Sequence, residues 1–325
     1  MDRKKIDYTS ATHSLESALF KVERIPLFAK IKDSTNSLKE IGIPDFQALF
    51  NGSDKTLLSV VTNNYQLVTN EKALEIGKNV FCELFPMVKK SDLIPFKVIS
   101  TKKKTSCHID LIHKDVTLEK WEQDTWLPFL RISNSYNRTF ALSFEIGFVR
   151  ELCSNGFIFD KESIKVKFAH TRGQIPVKFE VDVSKLRKYE IEFVNHLNNL
   201  NRFYVDPIYV LPLVLKALNH RFRLNDNNPK IRDRELERFS DTKSLINELT
   251  DIYYKELKPT AYAVLNIVTD LISHQQDYKT IPLFSSHINS YYNKPGDWIQ
   301  DFTLEIQSQK FNMEEYLGEF KTYLN

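Results

Sequence analysis

The residues best suited to chemistry cluster around one turn: Glu145, Arg150, Cys153, Asn155 and, further along, His170. A cysteine with a histidine in reach makes a nucleophile and its base. Such a nucleophile also needs an oxyanion hole, and no helix N-terminus is visible beside Cys153. A structural reading accounts for the same residues. Glu145 and Arg150 pair to hold the turn, Cys153 is a small buried hydrophobe, and Asn155-Gly156 supplies a positive-φ turn. No catalytic residue is therefore assigned, while Arg150-Cys153-His170 keeps an enzymatic reading open.

Cys107, His108, Asp110 and His113 have metal-ligand residue types. On a strand, however, Cys107 and His113 stand about 20 Å apart. That is too far for one Zn²⁺, and no C-x-x-C accompanies them. Neither a metal nor another cofactor is expected. The remaining chemistry is basic. Lys102, Lys103 and Lys104 occupy one turn, and Lys165 and Lys167 share the non-core face of a strand. Arg221 and Arg223 flank Phe222 and precede Lys230, Arg232, Arg234 and Arg238, with Phe203, Tyr204 and Tyr209 nearby. Cations interleaved with aromatics hold single-stranded nucleic acid by phosphate pairing and base stacking. Asp226, Asp233, Glu235 and Glu237 intersperse, so the alternative is a solvated charged face.

The element that positions these groups is the stretch Thr139 to Arg150. Phe140, Leu142, Phe144, Ile146 and Phe148 alternate with Thr139, Ala141, Ser143, Glu145 and Gly147, which predicts a central strand with one apolar face. Leu57–Val61 and Tyr65–Val68 read as a hairpin, and Thr69 or Asn70 caps a helix to about Phe85 with the stripe Ala73, Gly77, Val80, Phe81 and Leu84. Strands follow at Ile94–Ser100, Cys107–His113, Trp126–Ser133, after Gly156, at Ile164–Phe168 and at Val177–Val181. Near Asp182 the period changes from 2 to 3.6. Ser184 caps a helix with Leu186, Tyr189, Phe193, Leu197 and Leu200 inward. Asp206-Pro207 opens another, to about Phe222. Further helices start at Ser240 or Asp241, at Pro259, and at Asn312, where Glu315 completes a capping box. Residues 1–56 are mixed, with an amphipathic helix at Leu15–Val22 and punctuation at Pro26 and Pro44. The expected fold is α+β: a mostly antiparallel sheet with one packed helix in the N-terminal half, then a mainly helical C-terminal half. The expected division is 1–56, 57–183 and 184–325.

The chain has 325 residues, 42% hydrophobic and 27% charged, with a net charge of +3. That is an ordinary globular composition, and its mild basicity permits nucleic-acid binding without requiring it. No apolar run approaches the roughly 20 residues of a membrane span, and the N-terminal stretch lacks the apolar core of a signal peptide. The 3 cysteines are widely spaced, as in reduced cytoplasmic thiols. With 8 glycines and no glycine-rich loop, the sequence argues against a P-loop or a dinucleotide fingerprint.

Four stretches together resemble one family: Val60–Asn70, Arg131–Gly156, Phe168–Thr171 and Thr260–His274. They are similar to proteins grouped as domain-of-unknown-function family 932. The motif residues are Arg131, Asn134, Ser135, Arg150, Cys153, Asn155, Gly156, His170 and Asn266. Tyr262 stands where the family pattern has Trp, and Ser273-His274 where it has an acidic-His pair. The resemblance implies a cytoplasmic protein of phage or plasmid elements with no established catalytic activity. The expectation is a non-catalytic protein associated with nucleic acid, of the recombination or single-strand annealing sort. The alternative is a phage-encoded protein that binds and modulates a host defence complex. Self-association fits either reading; a membrane partner fits neither.

Overall fold

The computed structural model describes residues 14–32, 36–117, 124–158, 166–168, 183–274 and 288–324. The fold is α+β, with antiparallel sheets first and helices after. Strands β1 (Val22–Lys32), β2 (Leu38–Asn51) and β3 (Leu57–Thr62) form a sheet in that order. The main sheet runs β4 (Ile94–Ser100), β5 (Ser106–Ile112), β6 (Trp126–Ser135), β7 (Leu142–Arg150) and β8 (Gly156–Ile158), with β9 (Val166–Phe168) also paired to β7. Helix α1 (Asn70–Leu84) precedes it. The helical half holds α2 (Val183–Arg202), α3 (Val210–Ala217), α4 (Pro229–Leu257), α5 (Ala261–Ser273), α6 (Ile288–Ile306) and α7 (Met313–Leu317).

The Thr69 side chain accepts from Lys72 N and starts α1. Ala73, Val80, Phe81 and Leu84 then pack on Ile109, Leu130, Ile132, Leu142, Phe144 and Ile146 of the main sheet. A second, larger core joins Trp126, Leu127, Phe148 and Phe157 of the sheet to Phe193, Leu213, Leu265 and Phe302 of the helices. The Phe148 and Phe193 rings stack at 4.4 Å.

Several elements differ from the expectation. β7 begins at Leu142 because the residues before it close a turn. The Ser135 hydroxyl donates to Phe140 O and accepts from Phe140 N, and Arg138 takes φ 61°. The strand is buried on both faces, with Ser143, Glu145 and Gly147 as enclosed as Phe144. Tyr65–Val68 is not a strand; β3 pairs with β2 instead. Tyr65 is held by its hydroxyl on Ser135 O, which leads the chain into α1. The segment read as mixed forms the long β1–β2 ribbon, and among the described residues its helix spans 14–18, ending before the expected Val22. Pro26 lies in edge strand β1 and Pro44 in the irregularity where the register jumps from Pro26↔Gln47 to Leu27↔Ile43, the two places where a sheet tolerates proline. α4 starts at Pro229, well before the expected Ser240 or Asp241, because Asn228 caps it and Pro229 is its first-turn proline. α3 ends at Ala217, before Asn219 at φ 46°. α5 starts at Ala261, after Thr260, since Lys258 at φ 63° interrupts the chain beyond α4. The strand expected at Val177–Val181 lies outside the described residues.

Phe144 is fully buried, so Phe144→Ala should cost about 3–5 kcal/mol through the cavity it leaves. Gly77→Ala sets two effects against each other. Alanine gains about 1 kcal/mol of helix propensity, but its Cβ would lie 2.2 Å from Ile132 Cδ1 and 2.6 Å from Cγ1. Overpacking wins by roughly 1–2 kcal/mol. Urea unfolding of both variants checks this, and a Gly77→Ala protein more stable than the parent would show that Ile132 yields.

Candidate functional site

Two buried polar networks lie on the main sheet. The first occupies the face away from α1. Its members come from adjacent strands in register: Asp110 opposite Arg131, Arg131 opposite Glu145, and His108 opposite Ser133. Arg131 donates from Nε and Nη2 to the two Asp110 oxygens at 2.7 and 2.6 Å, and its guanidinium lies 3.8 Å from the Tyr292 ring centre. Lys97 donates to Tyr292 Oη at 2.5 Å and to Ser273 O at 2.9 Å. His108 Nδ1 meets Ser133 Oγ at 2.8 Å while its ring stacks on Phe140. Burial, reinforced by the Arg131 charge, pulls the His108 pKa down to about 3.

The second network is built on Arg150, at the end of β7. Nε donates to Asp124 Oδ2 at 2.7 Å, Nη2 to Glu256 Oε1 of α4 at 2.7 Å and Nη1 to Asn266 Oδ1 of α5 at 3.1 Å. Asp124 Oδ2 also accepts from the Tyr262 hydroxyl, which in turn accepts from Trp126 Nε1. Asn155 donates to Tyr253 Oη at 2.9 Å, and that hydroxyl donates to Asp270 at 2.6 Å. Gly156 N donates to Ser273 Oγ, and His274 Nε2 lies 3.0 Å from Cys153 O and 3.1 Å from Asn155 Oδ1. Both of those are acceptors, so Nε2 carries the proton.

The structure thus brings together Arg150, Cys153, Asn155, Gly156 and Asn266. Asn134 and Ser135 form a separate group at the other end of β6. Asn134 Nδ2 donates to Val68 O and Asn70 Oδ1, tying the sheet to the start of α1. His170 lies outside the described residues. Two local readings are corrected. Glu145 does not pair with Arg150: an odd separation along a strand puts them on opposite faces, and Glu145 lies opposite Arg131. The positive φ of the turn belongs to Ser154, at 52°, rather than to Asn155 or Gly156.

Burial sets the protonation of this network. Burial raises the Cys153 pKa despite the Arg150 charge 3.7 Å away, so the thiol stays protonated. Burial likewise raises the hydroxyl pKa of Tyr253, and Asp270 adds to it. Burial opposes the Arg150 charge too, but neighbouring Tyr262, Cys153 and Asp124 outweigh it and hold the guanidinium protonated. Among the described residues, no group of three His, Cys, Asp or Glu converges to hold a metal. Asp124, Glu256, Tyr253 and Asp270 escaped the sequence reading because each is remote in sequence from the turn it serves.

The basic residues fall in different places. Lys102 and Lys103 are exposed on the β4–β5 turn, and Lys104 reaches over the Phe20 ring at 5.8 Å. That turn adjoins the root of the three-stranded sheet: Tyr136 N donates to Thr105 O, and Phe20 packs on Tyr136. Arg138, exposed on the β6–β7 turn, donates to Thr62 Oγ1 of β3. Lys55 and Lys21 are exposed at the same root, where Gly52 N donates to Lys21 O. The result is an edge carrying Lys21, Lys55, Lys102, Lys103, Lys104 and Arg138 against Glu23 and Asp54. Arg221 and Arg223 belong to the helical half and pair with Glu319 and Asp226. Phe222, 6% exposed, lies in the core, and half-buried Phe203 packs edge-on against Phe302 and Phe311. Lys165 is outside the described residues. Lys167 stands in β9, in register with Ser143 of β7.

A β-sheet flanked by helices and pinned by these two networks is the frame on which the family comparison rests. The chain belongs to the family described as Domain of unknown function (DUF932), whose model matches residues 57–292. No curated protein and no solved structure matches the chain. No helix among the described residues is long and apolar enough to cross a membrane.

Arg150→Ala strands Asp124 as a buried carboxylate without its cation, so it should destabilise by about 3–5 kcal/mol in urea unfolding. Arg150→Lys should recover only part of this, because an ammonium cannot match the three-way fork. The His108 shift gives a pH dependence of definite sign. Above pH 6.5 the ring is neutral both folded and unfolded; below it the unfolded chain binds a proton that the folded chain refuses. Stability should fall as pH drops from about 6.5 towards 3, with a slope of up to one proton from this residue. His108→Gln should flatten that slope in urea midpoints measured from pH 7 to 4.

Proposed function

We propose that this protein is a non-catalytic, nucleic-acid-associated protein of phage or plasmid elements, of the recombination or single-strand annealing sort. The observation that carries the reading is the basic edge at the root of the three-stranded sheet. Lys102 and Lys103 on one turn, Arg138 on the next, and Lys21 and Lys55 beside them are all exposed. Glu23 is engaged by Lys55 at 2.7 Å, which leaves the other cations in excess. Such an edge tracks a phosphate backbone by charge and carries no base-reading geometry, so binding is sequence-tolerant. The buried networks give stability to the frame and take no part in binding.

A second reading, a protein-binding module acting on a host defence complex, is favoured by Tyr204 and Ile208. They are 63% and 59% exposed beside the start of α3. Large side chains left open on one short segment suit a protein partner better than a phosphate backbone.

Fluorescence polarisation with labelled single- and double-stranded DNA across a salt series tests the first reading. The parent should bind at low salt with a steep negative slope. Lys102→Glu with Lys103→Glu should abolish that binding with the fold intact, since both side chains are exposed. The milder Lys102→Ala should lower the slope by about 0.7–0.9, the loss of one phosphate contact. Arg221→Glu with Arg223→Glu should leave binding unchanged. A parent that binds neither DNA at low salt overturns the reading in favour of a protein partner.

A further inference from the structure

The β1–β2 ribbon carries a cavity where its register jumps from Pro26↔Gln47 to Leu27↔Ile43. Pro44, Asp45 and Phe46 have no partner on β1 at this irregularity. The cavity measures about 490 Å³, and its lining includes Arg24, Pro26, Phe28, Gly42, Pro44 and Phe46. Its size is that of a small-ligand site. An irregularity of this kind re-aims side chains that a regular strand would send to opposite faces.

The lining is aromatic in an unusual way. Among the described residues, Phe28 and Phe46 are the exposed phenylalanines, at 62% and 43%. Both belong to this one cavity. Phe28 stands opposite Gly42 across the ribbon. A Cβ on Gly42 would lie 3.8 Å from Phe28 Cε1 and 3.9 Å from Cδ1, so the ring rests on bare backbone with its outer side in water. A ring supported on one side and open on the other is a platform on which a base can stack.

Charge decides between occupants. Arg24 is the charged residue of the lining, and Asp45 is not part of it. Arg24 donates from Nη2 to Tyr65 O at 3.3 Å, and Arg138 lies 5.4 Å from the ring centre of the same tyrosine. Tyr136 N donates to Thr105 O and joins the Arg138 turn to the turn of Lys102 and Lys103. The exposed cations therefore lead from Lys102 and Lys103 through Arg138 to Arg24, and the two rings follow. Phosphates along such a run and bases on such rings are the pattern of single-strand binding. An apolar peptide would fill the cavity and leave the cations unmatched. A duplex keeps its bases inside the stack and has none to offer Phe28.

We propose that this cavity is a stacking site for the unpaired bases of single-stranded nucleic acid, with Phe28 and Phe46 as the platforms and Arg24 on a phosphate. The inference rests on the reading of the basic edge as a phosphate track, and adds to it a preference for single strands over duplex. Stacking reads no base edge, so binding stays sequence-tolerant.

Fluorescence polarisation of the full chain with labelled oligothymidine, and with a duplex of equal length, tests the site. The parent should bind the single strand more tightly. Phe28→Ala and Phe46→Ala should each weaken single-strand binding about tenfold to a hundredfold and leave duplex affinity and the salt slope unchanged, because a ring stacks without releasing ions. Phe28→Leu should bind as weakly as Phe28→Ala, and Phe28→Trp as tightly as the parent, which separates stacking from apolar filling. Arg24→Ala should instead lower the single-strand slope by about 0.7. Melting temperatures should not move, since these side chains are exposed. Single-strand affinity untouched by Phe28→Ala and Phe46→Ala overturns the stacking site and leaves the basic edge to its own lysine variants. So does a loss that is equal on the duplex. A parent that binds neither nucleic acid at low salt overturns both readings and leaves the cavity to a protein partner.

Discussion

A guanidinium buried without partners costs several kcal/mol, and Arg150 is almost wholly enclosed. Its environment must therefore be over-determined. The partners come from four places in the chain: Asp124 before β6, Cys153 in the turn after β7, Glu256 on α4 and Asn266 on α5. None can move without stranding the charge. Because α4 and α5 meet β7 at this one group, the helical half is fixed against the sheet by electrostatics as well as by the apolar layer of Phe148, Phe157 and Phe193. Asn155 and His274 extend the same logic one shell outward, tying the β7–β8 turn to Tyr253 and α5.

The same physics explains why the main sheet is polar where it is enclosed. Antiparallel sheets commonly leave one face to water, but here both are covered. The row Asp110, Arg131 and Glu145 runs straight across β5, β6 and β7. A one-residue slip of any strand would carry its charge into the layer under α1, beside Phe81 and Ile132. Buried ion pairs add little net stability over apolar replacements. What this row supplies is register, because every one-residue slip leaves a charge in the apolar layer.

Much of the fold was legible in the sequence because it rests on local patterns. The α1 stripe, the β4–β5 turn, the change of period near Asp182 and the Asp206 and Asn312 caps are set by residues close in sequence. The failures share a cause. Thr139 and Phe140 continue the alternation of β7, yet Ser135 draws Phe140 into a turn. The first half of α4 is largely exposed, so its apolar period is visible only where Thr242, Ile246, Leu249 and Tyr253 turn inward. The ribbon was hidden by its prolines, which read as breaks and are accommodated at an edge and an irregularity. For the site, Arg150, Asn155 and Asn266 stood out by residue type, but Asp124, Glu256 and Asp270 look like ordinary surface acids. No local pattern marks a carboxylate whose partner lies more than a hundred residues away, as Tyr262 does for Asp124 and Arg150 for Glu256.

The division between inside and outside bears on the surface reading. The family match spans the buried networks and stops short of β1 and β2. The networks give the frame stability, and burial holds the Cys153 thiol and the Tyr253 hydroxyl protonated within it. The basic edge straddles the limit of that match: Lys21 and Lys55 precede residue 57, whereas Lys102, Lys103 and Arg138 lie within it.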